Sequence, residues 1–453
     1  MPDQTASPNG HDGHHGHNEA DGRPGRHGRA SHAGPVSARP ATSPRDPAAS
    51  AALARHITRE ISEHGGWIGF ERYMALALYT PGLGYYARDA RQFGAMPASG
   101  SDFITAPELS PLFARALARQ LAQALVVTGT REVWEFGAGS GALAAGLLGE
   151  LGDAVDRYTI VDLSASLRER QRASVDKLAP HQAHKLAFAD SWPDHIDGVV
   201  VGNELLDAMP VLLLHHDGVA WRERGVVLAG VGASSPTEAA AADTPAVVGA
   251  SADSAVPVFA WADRPTDVTP PTLADFSPED AAEAAGWLTE VGRQGCGFIT
   301  SLAQRLRRGA AFFIDYGYPE AEYYHPQRSG GTLVCHRSHL VETDPAALLT
   351  DVGDKDITAH VDFTAIALAG QDAGLEVLGY TSQARFLFNC GLLADMGAMQ
   401  ERGDYAGLAR AQKLVAEHEM GELFKVIGLT APGSDFGADG ALGFTQGDRS
   451  HRL

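Results

Sequence analysis

Glu135, Gly137, Gly139 and Gly141 fall within residues 131–151, REVWEFGAGSGALAAGLLGEL, where a short apolar run meets helical apolar spacing. Three glycines in five residues carry an entropic cost. A tight strand-to-helix turn whose bare backbone lies against a ligand accounts for it. A phosphate on that turn would be repelled by Glu135, two residues before the first glycine. A cationic or zwitterionic ligand would be attracted, and S-adenosylmethionine, with an amino group, a sulfonium and no phosphate, is one. Gly137, Gly139 and Ala142 also satisfy the G-x-G-x-x-A dinucleotide fingerprint, and a purely structural turn is the third reading.

Other chemistry-bearing residues follow in the chain. Asp162 lies about 20 residues beyond the glycines, the spacing at which a carboxylate on the next strand meets ribose hydroxyls; capping the following helix is its alternative. Asp190 and Ser191 end a third strand, where such folds recognise adenine. Asn203, Glu204 and Asp207 cluster in NELLDAMPV. In a short helix Glu204 and Asp207 share a face, either converging on a ligand or standing solvated at a capped start. Asp356, His360 and Asp362 form an acid/base trio with too mixed a neighbourhood for a metal. Pro107 and Glu108 suit the first turn of a helix continuing through Leu125.

Elements that can position these groups are legible. Strands are expected over 132–136, 157–163, 185–190, 198–202, 310–315, 375–380 and 423–429. Helices are expected over 50–61, 69–79, 109–125 and 167–178, with helical character across 278–308. An N-terminal stretch, 1–48, is rich in Gly, Pro, Ser and His, so it reads as a disordered tail whose His11, His14, His15 and His17 bind metal only adventitiously. One domain then spans 49–430. It carries a hairpin-like insertion over about 215–275, flexible across 233–256, and 431–453 is a C-terminal tail.

The 453 residues carry a formal charge of −20, which disfavours nucleic acid as a partner and suits a basic substrate. Cys296, Cys335 and Cys390 have no CxxC spacing and read as reduced thiols of a cytoplasmic protein. No signal peptide or membrane-spanning run is evident.

Taken together, SDFITAPELSPLF, EFGAGSG, NELLDAMPV, WRERGV, DYGY, DITAHVDF and TSQARFLFNCG resemble the MidA-like family of class I methyltransferases. The resemblance implies an α/β, Rossmann-like seven-stranded sheet with an N-terminal helical region and S-adenosylmethionine as methyl donor. It further implies a protein arginine as acceptor, symmetric dimethylation and a link to respiratory complex I. Carried over by position, Glu135, Gly137, Gly139, Gly141 and Asp162 bind the cofactor, and Asp190 joins them by its place at the end of the third strand. Asp102, Thr105, Pro107 and Glu108 form an early block that closes over it. Asn203, Glu204 and Asp207 match the cluster after the fourth strand, in which Glu204 and Asp207, with Asp102 or Glu108, would hold a guanidinium and His360 would take a proton. Ala138 and Ser140 depart from the family's usual Gly-Pro-Gly-Arg-Gly loop. A cofactor-binding assembly factor without turnover and an NAD-dependent enzyme are the alternative readings.

Overall fold

Apolar residues alternate between two layers along Glu132–Phe136 (β1), so Val133 and Trp134 enter opposite cores. Seven more strands complete the sheet: the two-residue Val361–Asp362, which pairs parallel with the end of Leu306–Tyr318, and six along the main path, Arg157–Val161 (β2), Leu186–Ala189 (β3), Ile196–Asn203 (β4), Leu306–Tyr318 (β5), Glu376–Ser382 (β6) and Phe424–Thr430 (β7). Their order is β3-β2-β1-β4-β5-β7-β6, with β7 antiparallel to both neighbours and the other pairings parallel. The chain reverses its direction of travel across the sheet between β1 and β4, where carboxyl strand ends leave a crevice. This computed structural model describes residues 46–88, 105–230, 257–271, 283–337 and 340–453, which belong to one unit, 40–453. Asp102, the 233–256 stretch and all but the last residues of 1–48 lie outside the described residues.

Seven helices position the site: Pro47–Glu63 (α1), Phe70–Tyr79 (α2), Pro111–Thr128 (α3), Ala142–Leu151 (α4), Ala165–Leu178 (α5), Arg293–Ala303 (α6) and Phe363–Asp372 (α7). Leu117 of α3 and Leu147 of α4 pack with Val199, Val201 and Phe312 on one face. Ile299 of α6 and Phe363 of α7 pack with Val200 and Phe313 on the other. Apolar faces of α1 and α2, including Leu53, Ile57 and Tyr73, join a separate core with Val226 and Phe259. Those two residues belong to a second sheet built from Trp221–Leu228, Phe259–Pro265, Leu212–His216, Leu288–Val291 and the two-residue strand Ile68–Gly69.

Four local readings are corrected. The helix expected from Pro107 to Leu125 is broken, because Pro111 forces Ser110 into extended backbone (φ −152°, ψ 133°). A four-residue turn, Ala106–Leu109, precedes the break, and Ser110 Oγ then accepts from Leu112 N. Helical character across 278–308 is limited, among the described residues, to Glu283 and α6. Leu288–Val291 pairs with Leu212–His216, and β5 begins at Leu306. NELLDAMPV forms no helix; it is a turn with Glu204 at φ 51°. Finally, 431–453 is no loose tail. Phe444 is buried against Phe386, and a Cβ on Gly379 would come within 2.2 Å of its ring. Phe444→Ala is expected to cost about 3–5 kcal/mol in urea unfolding, and a change within 0.5 kcal/mol would mean that this segment contributes nothing to the core.

Candidate functional site

The glycine turn follows β1 directly, and its backbone explains the residue choice. Gly137, Gly139 and Gly141 have φ of 70°, 50° and 79°, a region that side-chain-bearing residues enter at a cost. Space constrains them as well. A Cβ on Gly137 would lie 3.0 Å from Leu205, and one on Gly141 2.7 Å from the Gln171 backbone. Gln171, buried in α5, donates from Nε2 to Asp162 Oδ2 (2.7 Å) and to the Gly139 carbonyl (3.3 Å). It thereby ties the carboxylate after β2 to the glycine turn. Nothing in the sequence marked it, since a glutamine in a polar helix ordinarily reads as surface. The other Asp162 oxygen accepts from Ser164 N (2.8 Å).

Beyond the turn lies a cavity of about 1080 Å³, near the upper end of the usual range for small-molecule sites. Glu135, Gly137, Gly139 and Asp162 line one side; Asn203, Glu204, Asp207, Tyr316, Asp356 and His360 are also in its wall. Of the early block, Thr105 and Pro107 line it, and Glu108 stands just behind, hydrogen bonded to Ser140. Asp190 does not line it: it stays exposed beyond β3, where it accepts from Ser191 Oγ. Asp362 turns away too, capping α7 through Ala365 N. Thus the Asp356, His360 and Asp362 trio does not converge. Asp356 instead receives the Tyr86 hydroxyl at both oxygens (2.8 and 2.9 Å).

A long-range carboxylate shapes the turn after β4. Asp315 Oδ2, on β5, accepts from the N–H groups of Leu205, Leu206 and Asp207 at 3.1, 2.8 and 3.3 Å. Glu204 N donates to the Ile314 carbonyl (2.9 Å). These bonds hold Glu204 in its left-handed conformation, a strain that such sites commonly store. Asn203 Nδ2 donates to Glu204 Oε1 (3.1 Å), and the Tyr316 hydroxyl donates to Asp207. From above, the Tyr79 hydroxyl donates to the Ala208 carbonyl (2.8 Å), and Tyr79 stacks on Tyr86.

Electrostatically the cavity is one-sided. Five carboxylates line it, and no lysine or arginine does among the described residues. Burial pushes Glu135 up to about 7, opposed by the Tyr158 hydroxyl that donates to it at 2.7 Å. Burial and the neighbouring Asp207 push Glu204 up to about 8; burial also pushes Asp207 up to about 6. His360, packed beside Tyr316 and Tyr318, is driven down to about 4 by burial and so is neutral near pH 7. Three buried acceptors, Asn203 Oδ1, Asp207 Oδ1 and His360 Nδ1, have no hydrogen-bond partner among the described residues.

Residues 116–381 match a family model described as "Putative S-adenosyl-L-methionine-dependent methyltransferase". The chain belongs to this methyltransferase family. A protein of Burkholderia thailandensis, solved bound to S-adenosyl-homocysteine, is 45% identical; the match covers 91% of this chain and all of that one, with a TM-score of 0.77. "Protein arginine methyltransferase NDUFAF7, mitochondrial" of Danio rerio is 24% identical over 83% of this chain and 86% of that protein. Its Caenorhabditis elegans homolog is 29% identical over 35% of this chain and 42% of that protein. Both relatives carry "mitochondrial" in their names, which overturns the cytoplasmic location read from the reduced cysteines; a reduced thiol reports redox environment, not compartment. No helix among the described residues is long and apolar enough to cross a membrane.

S-adenosylmethionine is the methyl donor of this methyltransferase, and the residues fit it. Gly137 and Gly139 put bare backbone in the cavity wall, and Glu135 offers a carboxylate beside the turn where a dinucleotide would bring its pyrophosphate. That charge pattern disfavours the NAD reading.

Proposed function

We propose that this methyltransferase alkylates the guanidinium of an arginine presented by a protein. The observation carrying this reading is the set of partnerless acceptors Asn203 Oδ1, Asp207 Oδ1 and His360 Nδ1 in a cavity lined by five carboxylates. A planar cation with five N–H donors satisfies such a set; a neutral hydroxyl acceptor would leave most of it unpaired. The 24%-identical Danio rerio and Xenopus tropicalis relatives, named protein arginine methyltransferases, agree with it.

When bound, S-adenosylmethionine supplies a methyl group on a positively charged sulfur. The chain's own work is alignment and charge control. Glu135, the glycine turn and Asp162 grip the donor, while Thr105 and Pro107 wall the site from water. Glu204 and Asp207 hold the guanidinium by paired hydrogen bonds and draw its positive charge away from the attacking nitrogen. His360, neutral with Nδ1 free, takes the proton that this nitrogen sheds. So weak a base suffices, because an alkylated nitrogen that keeps its proton is far more acidic than a guanidinium. By family resemblance the reading extends to symmetric dimethylation and to an acceptor in respiratory complex I.

The test is transfer of labelled methyl from S-adenosylmethionine to a protein extract, followed by hydrolysis and separation of methylated amino acids. Label in methylarginine is expected; label confined to methyllysine or to carboxyl esters refutes the acceptor assignment.

A pH dependence accompanies it. Asp207 and Glu204 are protonated until the pH passes about 6 and about 8, and only their ionised forms grip a cation. The kcat/KM for methyl transfer should therefore climb between pH 6 and 8 and level above. A profile that is flat or falls through that window would exclude ionisation of this pair as a requirement.

A further inference from the structure

Large apolar side chains exposed to solvent are unevenly distributed over this protein. Twelve are exposed among the described residues, and four of them, Tyr79, Leu163, Val341 and Leu423, also line the carboxylate-rich cavity. A side chain that both lines a cavity and meets solvent stands at its mouth. They come from four separate elements: the end of α2, the segment after β2, the strand Leu340–Glu342 and the residue before β7. Scattered exposed apolar residues need no explanation, whereas a group gathered at one opening marks a contact surface.

We infer that this apolar collar receives the polypeptide on either side of the target arginine, so that the preferred acceptor is an arginine flanked by large apolar residues. The inference rests on the arginine reading above and deepens it. The occupant follows from charge and shape together. Inside, five carboxylates line the cavity and no lysine or arginine does among the described residues, which calls for one positive group. Around the opening, apolar side chains call for apolar surface to be removed from water. Free arginine cannot supply both, because its amino and carboxylate groups would meet the collar as charges. A basic, lysine-rich segment fails for the same reason. A peptide that places one guanidinium inside and leucine or valine beside it satisfies both.

The experiment uses the full chain loaded with S-adenosyl-homocysteine and fluorescent peptides measured by anisotropy. One peptide has a central arginine flanked by leucine and valine, a second has serine and glycine flanks, and a third keeps the apolar flanks around a lysine. The apolar-flanked arginine peptide is expected to bind about tenfold or more tightly than the polar-flanked one. In the double variant Val341→Ser, Leu423→Ser that preference should vanish while affinity for S-adenosyl-homocysteine is unchanged. Equal binding of the two arginine peptides, or a preference that survives the double variant, would overturn the collar. Absence of binding by every peptide overturns it as well. If the lysine peptide binds as well as its arginine counterpart and both prefer apolar flanks, the collar stands and the arginine reading falls.

Discussion

Gly141→Ala should lower affinity for S-adenosyl-homocysteine by about a hundredfold or more, the largest loss expected from any single methyl group added to this protein. Two costs combine. A left-handed backbone at φ 79° costs a non-glycine residue about 1–2 kcal/mol. The new Cβ would also stand 2.7 Å from the Gln171 Cα, a backbone atom on α5 that cannot swing aside as a side-chain tip can. Either the turn or α5 must shift, and with it the Gln171 bonds to Gly139 and Asp162. About 2.8 kcal/mol in total corresponds to that factor. Isothermal titration measures the affinity, and a thermal melt of the same sample reports whether the fold is kept. A variant that melts normally and binds within a factor of five of the parent would show that the turn does not seat the cofactor.

Glu204→Gln should reduce methyl transfer about 10²–10³-fold, the range found when one electrostatic partner of a transition state is removed, with cofactor affinity retained. The substitution is nearly isosteric. Its amide oxygen can still accept from Asn203 Nδ2, so the turn after β4 keeps its internal bond. What disappears is the negative charge that orients a guanidinium and balances the charge built up on it. Because the loss concerns the acceptor's reactive form, kcat and kcat/KM should fall together. Single-turnover rates with saturating donor measure this directly. Undiminished transfer would remove Glu204 from the chemistry and leave Asp207 as the acceptor's principal ligand.

How far the sequence led to this site depended on whether a residue's partner was local. The glycine turn was readable because positive φ leaves its mark in residue type, and Asp162 because strand and helix lengths fix its spacing. The seven strands were legible for the same reason: apolar runs and their period are local properties. For 203–211 the sequence admits a short helix, whereas the structure has a turn. Its conformation is dictated by Asp315, about 110 residues away, which collects N–H groups that a helix would have left to its own turns. Tyr316 and Tyr86 acquire their bonds to Asp207 and Asp356 only through tertiary pairing, and no spacing rule announces them. The break before α3 is different. Pro111 could have been read as restricting Ser110, and the local rule was available.

Asp315 has a consequence beyond holding a turn. The residues proposed to hold the cofactor lie close together in sequence, with Thr105, the glycines, Asp162 and Gln171 in one continuous stretch. The opposite wall is assembled from positions as distant as Tyr86 and Asp356, 270 residues apart. The turn at 203–208, fastened to β5 by one carboxylate, joins these two districts. The grip on the methyl donor and the choice of what receives it can therefore drift apart over evolutionary time. Loops on the far wall are free to be rewritten for new acceptors, provided Asp315 keeps the shared turn where it is.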